Sequence, residues 1–446
     1  MQFFRQFIGN LYISKRWYLL LSVCTLGFFC AYFFPFLFLP ALALLTVVAV
    51  LSLLDYILLF LTHGTLNATR VIAPRLSLGH ENKVSLELHN RYPFTIRIGV
   101  IDELPEQLQQ RDFFLHTKLK YDSSIVLDYT LRPLSRGDYH FGRLLCFVES
   151  PLGLFQKKTA AAPATTVKVY PSFHELRKYQ LMALSESNLS GAQKIRRLGN
   201  SLEFEKIKDY VPGDDIRNIN WKATARRNTL MLNTYTDARQ QQIYCVIDKG
   251  RTMKMPFDGL TLLDYAINAS LALLNVALLK QDKAGLITFT KDETEILAAD
   301  RRNNQFYHIQ EALYHQKTDF KESDYNSLRR DIRSKIGQRS FLLLFTNFET
   351  MAALERQLPY LRHIAGQHLL CVVFFENTML RQIREKDAVN IKDIYIKTIA
   401  DRFDFEKKQI VKELRRHGIL SILSTPKSLS TDVINKYLEL KSRQLV

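Results

Sequence analysis

The stretch IYCVIDKGRTM, Ile243–Met253, sets the reading of the whole C-terminal half. Its first six residues are short, apolar and rich in strand formers, and they end on a carboxylate, Asp248. A long apolar run with helical periodicity follows, LTLLDYAINASLALLNVALLKQ from Leu260 to Gln281. The same alternation then repeats. AGLITFT, SFLLLFTN, HLLCVVFF and ILSILS read as strands. Helical patterns near Gln305–His315 and Tyr325–Lys335, after Thr350, before His417 and from about Ser430 lie between or after them. Apolar strands separated by amphipathic helices predict a Rossmann-like α/β domain over 241–446, its parallel sheet covered on both faces. Such sheets place ligands at the carboxyl ends of their strands. No glycine-rich phosphate loop follows the first strand, which argues against nucleotide binding.

The first strand end carries a second signal. Asp248 is followed by Gly250 and Thr252, and the strand SFLLLFTN ends on Asn347. This loop resembles the metal-ion-dependent adhesion site of von Willebrand factor type A domains, whose pattern is Asp-x-Ser-x-Ser. The resemblance implies a cation held by Asp248, Thr252 and Asn347, with Mg²⁺ as the candidate because hard cations take oxygen ligands. The pattern is degenerate. Gly250 has no hydroxyl, and Asn347 stands where that family has an aspartate. A polar strand-end loop kept for its shape or contacts, with no cofactor, is the expectation.

Upstream lies a dense polar segment, RRLGNSLEFEKIKDYVPGDDIRNINWKATARRNTLMLNTY, Arg196–Tyr235. It is similar to the signature of the bacterial family called domain of unknown function fifty-eight. The matching positions are Gly199, Glu203, Phe204, Tyr210, Gly213, Asp214, Arg217, Ile219, Trp221, Ala225 and Arg226. The turns SRGDYHFG (Ser135–Gly142) and SPLGLF (Ser150–Phe155) also resemble that family's. Physically, Arg217 or Arg226 can clamp Asp214 or Asp215 through paired hydrogen bonds, and Trp221 offers a face for a guanidinium. Such a knot either docks the segment onto the α/β domain or presents a rigid surface to a partner. Adjacent carboxylates at Asp214 and Asp215 raise a hydrolase as an alternative. No Ser-His-Asp or Cys-His set accompanies them, and the eleven histidines are scattered. The chain is therefore read as not an enzyme.

Between residues 70 and 173 the apolar period is two. It runs through Val84, Leu86 and Leu88, through Ile96, Ile98 and Val100, and through Ile125, Leu127, Tyr129 and Leu131. Alternation with turn punctuation predicts an antiparallel β-sandwich. Gly137 and Gly153 suit turns of positive φ.

Further upstream, Trp17–Leu54 contains no charged side chain. One helix of that length would span about 57 Å, against a hydrocarbon core of about 30 Å. Two helices fit, about 17–34 and 41–61, broken at Pro35 and Pro40 within a transmembrane hairpin over 1–65. Arg5, Lys15 and Arg16 before it and His63, Arg70 and Arg75 after it predict cytoplasmic termini at a bacterial inner membrane. Asp55 is expected near the cytoplasmic end of the second helix, meeting water or a partner helix.

The whole is a multi-domain chain: hairpin, β-sandwich, signature segment over 174–240, and type A-like α/β domain. The net charge of +17 fits attraction to a lipid bilayer, and no nucleic-acid module is recognisable. Five cysteines at unpatterned spacings read as buried thiols. The family resemblance implies a MoxR-type AAA+ ATPase as protein partner, with this chain as its membrane adaptor in the assembly or maturation of other proteins. A sensor of an anionic ligand is the other alternative.

Overall fold

The computed structural model describes residues 10–62, 64–110, 113–172, 180, 202–211, 214, 216–237, 241–302, 304–318, 321–385 and 390–446. Gly199, Gly213 and Asp215 of the signature, like Arg5 and His63, lie outside them. The chain divides into two compact units, Met1–Ser172 and Phe173–Val446.

The first unit opens with β1 (Leu11–Ile13) and two apolar helices, α1 (Lys15–Phe33) and α2 (Phe38–Phe60). Both are long and apolar enough to cross a membrane. Phe34 and a short 3₁₀ turn, Pro35–Leu37, separate them. Pro40 therefore lies in the first turn of α2 rather than in the break, where its missing N–H costs nothing. The indole of Trp17 donates to Ser52 Oγ at 3.2 Å and ties the two helices near their open end.

Ten further strands complete this unit: β2 (Leu66–Ile72), β3 (Arg75–Ser77), β4 (Asn82–Asn90), β5 (Ile96–Asp102), β6 (Phe114–Leu119), β7 (Ser124–Leu131), β8 (Gly137–Phe141), β9 (Leu144–Glu149), β10 (Phe155–Ala162) and β11 (Thr165–Tyr170). They form an antiparallel five-stranded sheet, β1-β10-β9-β5-β6, an antiparallel β2-β4-β7 sheet and a mixed β3-β11-β8 sheet. Leu86 and Leu88 of β4 share one core with Ile96, Ile98 and Val100 of β5 and with Leu59 of α2. Gly137 and Gly153 adopt φ of 128° and 70°.

Two polar contacts in this unit differ from the sequence reading. Asp55 has no exposure to solvent, and its hydrogen-bond donors come from a turn between strands rather than from a helix. Its carboxylate accepts from Ser150 Oγ and from the backbone N–H groups of Leu154 (2.9 Å) and Phe155 (2.8 Å), so the SPLGLF turn supplies its partners. Arg70, counted among the flanking cations, is engaged in an ion pair. It lies within β2 and pairs with buried Asp102, which also accepts from the Tyr129 hydroxyl at 2.5 Å.

In the second unit, β12 (Leu202–Asp209) and β13 (Met231–Asp237) form an antiparallel ribbon, with α3 (Trp221–Arg227) between them. Then come β14 (Gln242–Asp248), the short pair β15 (Pro256–Phe257) and β16 (Leu260–Thr261), α4 (Leu262–Leu279), β17 (Lys283–Phe289), β18 (Thr294–Asp300), α5 (Gln305–Tyr314) and α6 (Tyr325–Lys335). The chain finishes with β19 (Phe341–Phe345), α7 (Met351–Gln367), β20 (Leu369–Phe375), α8 (Thr378–Glu385), α9 (Ile391–Arg416), β21 (Leu420–Ser424) and α10 (Leu429–Ser442).

The main sheet runs β18-β17-β14-β19-β20-β21. Five strands are parallel, and β18 is an antiparallel edge absent from the sequence expectation. Its half-exposed residues lack the apolar run that marks a central parallel strand. Helices α4, α5 and α10 cover one face, and α6, α7 and α9 the other. Helix α4 also has the length and composition of a membrane span, but 72% of its apolar window is buried in this core. Its start is fixed by a capping box between Thr261 and Asp264.

Candidate functional site

The parallel sheet brings the ends of β14 and β19 side by side, pairing Ile247 with Phe345. The next residues, Asp248 and Thr346, therefore meet at the carboxyl end of the sheet. Thr346 Oγ1 donates to Asp248 Oδ2 at 2.7 Å. Two groups from just before and within α6 join them. Ser323 Oγ donates to Asp248 Oδ1, and the Tyr325 hydroxyl lies 3.2 Å from Oδ2 and 2.7 Å from Thr346 Oγ1. The backbone N–H of Gly250 completes the set at 2.8 Å. Asp248 is thus buried but provided with four donors. Burial pushes its pKa up, and the four hydrogen bonds oppose that shift. Burial and the neighbouring carboxylate push the Tyr325 hydroxyl far above its ordinary range, so it remains a donor.

Gly250 now has a physical role. A Cβ there would fall 2.4 Å from Ser323 Oγ and 3.0 Å from Asp248 Oδ1. The hydroxyl missing at position 250 is supplied by Ser323 from a distant segment, and a side chain at 250 would collide with it.

Asn347 is also engaged. Its Oδ1 accepts from the ammonium of Lys407 at 2.7 Å, and the same ammonium donates to the Phe348 carbonyl at 2.5 Å. Lys407 reaches there from α9 and lies over the Phe374 ring. Of the three residues expected to hold a cation, Asp248 and Asn347 stand at adjacent strand ends. No hydrogen bond joins Thr252, in the following 3₁₀ turn, to either of them. Mg²⁺ is six-coordinate and keeps several waters, so it needs only a few protein oxygens, but those must be open to it. Here Asp248 accepts four hydrogen bonds and the Asn347 oxygen accepts from an ammonium, so in this arrangement both side chains are engaged by protein donors. Among the described residues no group of three or more His, Cys, Asp or Glu is arranged to hold a metal.

A cavity of about 290 Å³ opens beside this site, lined by Met255, Phe257, Asn347, Phe375, Phe403 and Lys407 among others. Burial lowers the Lys407 pKa from 10.5 to about 8, opposed by the Glu349 carboxylate. Below pH 8 the folded and unfolded chains both carry this charge, and the folded chain bears the full cost of burying it. Between pH 8 and 10.5 the unfolded chain holds a proton that the folded one has released, so folding stability gains as pH rises through that window. The stability of the parent chain relative to Lys407→Met is expected to rise by on the order of 1–3 kcal/mol from pH 7.5 to 10.5. Paired denaturant titrations at the two pH values measure it, and a constant difference would contradict the buried-ammonium assignment.

The described part of the signature segment shows which partners Asp214 takes. Asp214 is held by Lys208 Nζ at 2.9 Å and by the backbone N–H of Val211 at 3.1 Å, while the other carboxylate of the expected clamp, Asp215, lies outside the described residues. Lys208 is the main cause of its lowered pKa. The β12–β13 ribbon positions this turn, and Asn220 caps α3 by accepting from the N–H of Ala223 at 3.0 Å. Trp221, the first residue of α3, is 69% exposed, and Val211 and Ile216, ten and five residues earlier in the same segment, are 58% and 67% exposed. No guanidinium is found on its ring among the described residues. Tyr210 donates its backbone N–H to Leu230 and closes the ribbon's end. Glu203 and Phe204 lie on β12.

Sequence reasoning missed Ser323, Tyr325, Thr346 and Lys407. Only Thr346, next to Asn347, carried a local signal.

The chain is 28% identical over 182 residues to the "Uncharacterized protein YeaD" of Bacillus subtilis (strain 168), covering 39% of this chain and 45% of that protein. It thus spans less than half the length of that relative. Among solved structures, the CARDB domain of the PF1109 protein from Pyrococcus furiosus overlaps 24% of this chain and 93% of its own, at 10% identity and a TM-score of 0.17. The PKD domain of an M14-like peptidase from a Thermoplasmatales archaeon overlaps 23% and 92%, at 8% identity and a TM-score of 0.16. Scores this low carry no argument about function. The segment from β12 through the strand-end site into α9 matches the family described as "Protein of unknown function DUF58", and a DUF58 domain occupies residues 206–403.

Proposed function

We propose that this chain is a membrane-anchored adaptor with no catalysis of its own. In this reading α1 and α2 cross the bacterial inner membrane with both termini in the cytoplasm. The β-strands of the first unit form a sandwich, and the α/β unit is a type A-like domain that binds a protein partner. That partner is a MoxR-type AAA+ ATPase, acting in the assembly or maturation of other proteins. The ammonium of Lys407 serves where the type A resemblance implies a cation.

The observation that supports this reading best is the exposure of Trp221, Val211 and Ile216 on the signature segment. Large apolar side chains left in water beside Arg226 and Arg227 are the composition of a binding hot spot. Crosslinking in native membranes, followed by identification of the captured protein, tests it. An ATPase is expected among the products, and Trp221→Ala is expected to lower its capture by about tenfold or more. Capture unchanged by Trp221→Ala, or a carboxy terminus digested by protease from outside intact cells, would refute the reading.

A further inference from the structure

The five-stranded sheet turns Ile96, Ile98 and Val100 of β5 inward and leaves its other face open. On that open face a cleft of about 500 Å³ is lined by Arg97, Gly99, Phe114, Lys118 and Phe147, with Arg16 contributed by α1. Its depth depends on Gly99, where a Cβ would fall 2.5 Å from the Phe114 ring.

The charge arrangement on this face is unusual. Sheet register sets Arg97 directly opposite Lys118. Like charges facing each other across strands destabilise a sheet unless something neutralises them. Glu149 is the neighbour of Arg97 on the other side and also lines the cleft; its carboxylate accepts from the Gln156 amide at 2.5 Å, so three cations share this face with one carboxylate. Among the described residues no ion pair is found for Arg16, Arg97 or Lys118. On the neighbouring sheet, by contrast, Lys83 pairs with Asp128 at 2.8 Å.

The position of the cleft suggests what balances the remaining positive charge. Arg16 is in the first turn of α1, one residue before Trp17 and the apolar run that follows. If α1 crosses the bilayer, Arg16 stands at the level of the lipid headgroups, where Trp also concentrates. We propose that this cleft binds the phosphate of an anionic phospholipid headgroup, with Arg16, Arg97 and Lys118 around the phosphate and Phe114 and Phe147 against the glycerol. The proposal rests on the membrane-hairpin reading. It adds a specific lipid site that fixes the β-strands of this unit against the leaflet surface.

The full chain is to be reconstituted in nanodiscs of mixed phosphatidylcholine and phosphatidylglycerol, then released for native mass spectrometry to count retained lipids. Selective retention of phosphatidylglycerol is expected. The R97Q/K118Q pair should reduce it by about tenfold or more, K118Q alone by about fivefold, and K83Q not at all. Equal retention of both lipids by chain recovered in the discs would overturn the site and leave the hairpin standing. Chain recovered only outside the discs would overturn both. Displacement of phosphatidylglycerol by soluble glycerol phosphate would overturn the lipid assignment in favour of a free phosphoester.

Discussion

Asp55→Ala is expected to unfold the first unit on the order of 10 °C below the parent chain. Asp55 has no exposure to solvent, and its carboxylate is the acceptor for the Ser150 hydroxyl and two consecutive backbone N–H groups. The Ser150 oxygen in turn accepts from the N–H groups of Leu152 and Gly153, each at 3.1 Å. Removing the carboxylate orphans two buried donors and one part-buried one, at about 1–3 kcal/mol each; with the part-buried N–H and a rotatable hydroxyl at the low end, the total is on the order of 3–5 kcal/mol. That loss corresponds to roughly 2–4 °C per kcal/mol for a unit of this size. Asp55→Asn should fall between the two, because its amide keeps one acceptor but turns an NH₂ group toward N–H donors. The chain has two tryptophans, Trp17 and Trp221, so a Trp221→Phe background makes Trp17 the sole reporter of this unit. A melting point within about 2 °C of the parent would show that the helix carboxylate does not hold the turn.

The second large effect is expected at Asp248. Asp248→Ala removes the acceptor shared by Gly250, Ser323, Tyr325 and Thr346, the group that joins the ends of β14 and β19 to the start of α6. Tyr325 and Thr346 keep their mutual contact at 2.7 Å, which softens the loss. A destabilisation of about 3 kcal/mol is expected, with amide exchange accelerated first around Gly250 and Thr346. Exchange that speeds up uniformly across the α/β unit, without that local onset, would show that Asp248 is not the organising group of the loops. Because the same loops border the 290 Å³ cavity, any partner engaged there should also be lost.

Much of the architecture was legible locally. The alternation of apolar strands and helical runs marked every parallel strand of the main sheet, because a strand buried on both faces must be apolar along its length. The period-two runs at Val84–Leu88 and Ile96–Val100 marked strands of the first unit for the same kind of reason. The edge strand β18 was missed because TEILAAD has carboxylates near both ends and lacks the apolar run that the other edge, β21, shows in ILSILS. Strand β1 was missed because three residues are too few to show a period.

The candidate site was legible only in part. Asp248 and Asn347 could be found because strand ends are where such sheets gather polar groups. Their partners could not. Ser323, Tyr325 and Lys407 lie 75, 77 and 60 residues from the groups they bind. Likewise, nothing near Asp55 in sequence points to Ser150, 95 residues away. By itself the sequence determined which segments bury apolar surface, since periodicity is a property of neighbouring residues. The tertiary structure decided which polar groups meet, which cation stands at Asn347, and that α4 is a core helix while α1 and α2 keep their apolar sides exposed. Those outcomes depend on long-range pairing, because a buried charge or hydrogen-bond donor is satisfied by whatever the fold brings to it.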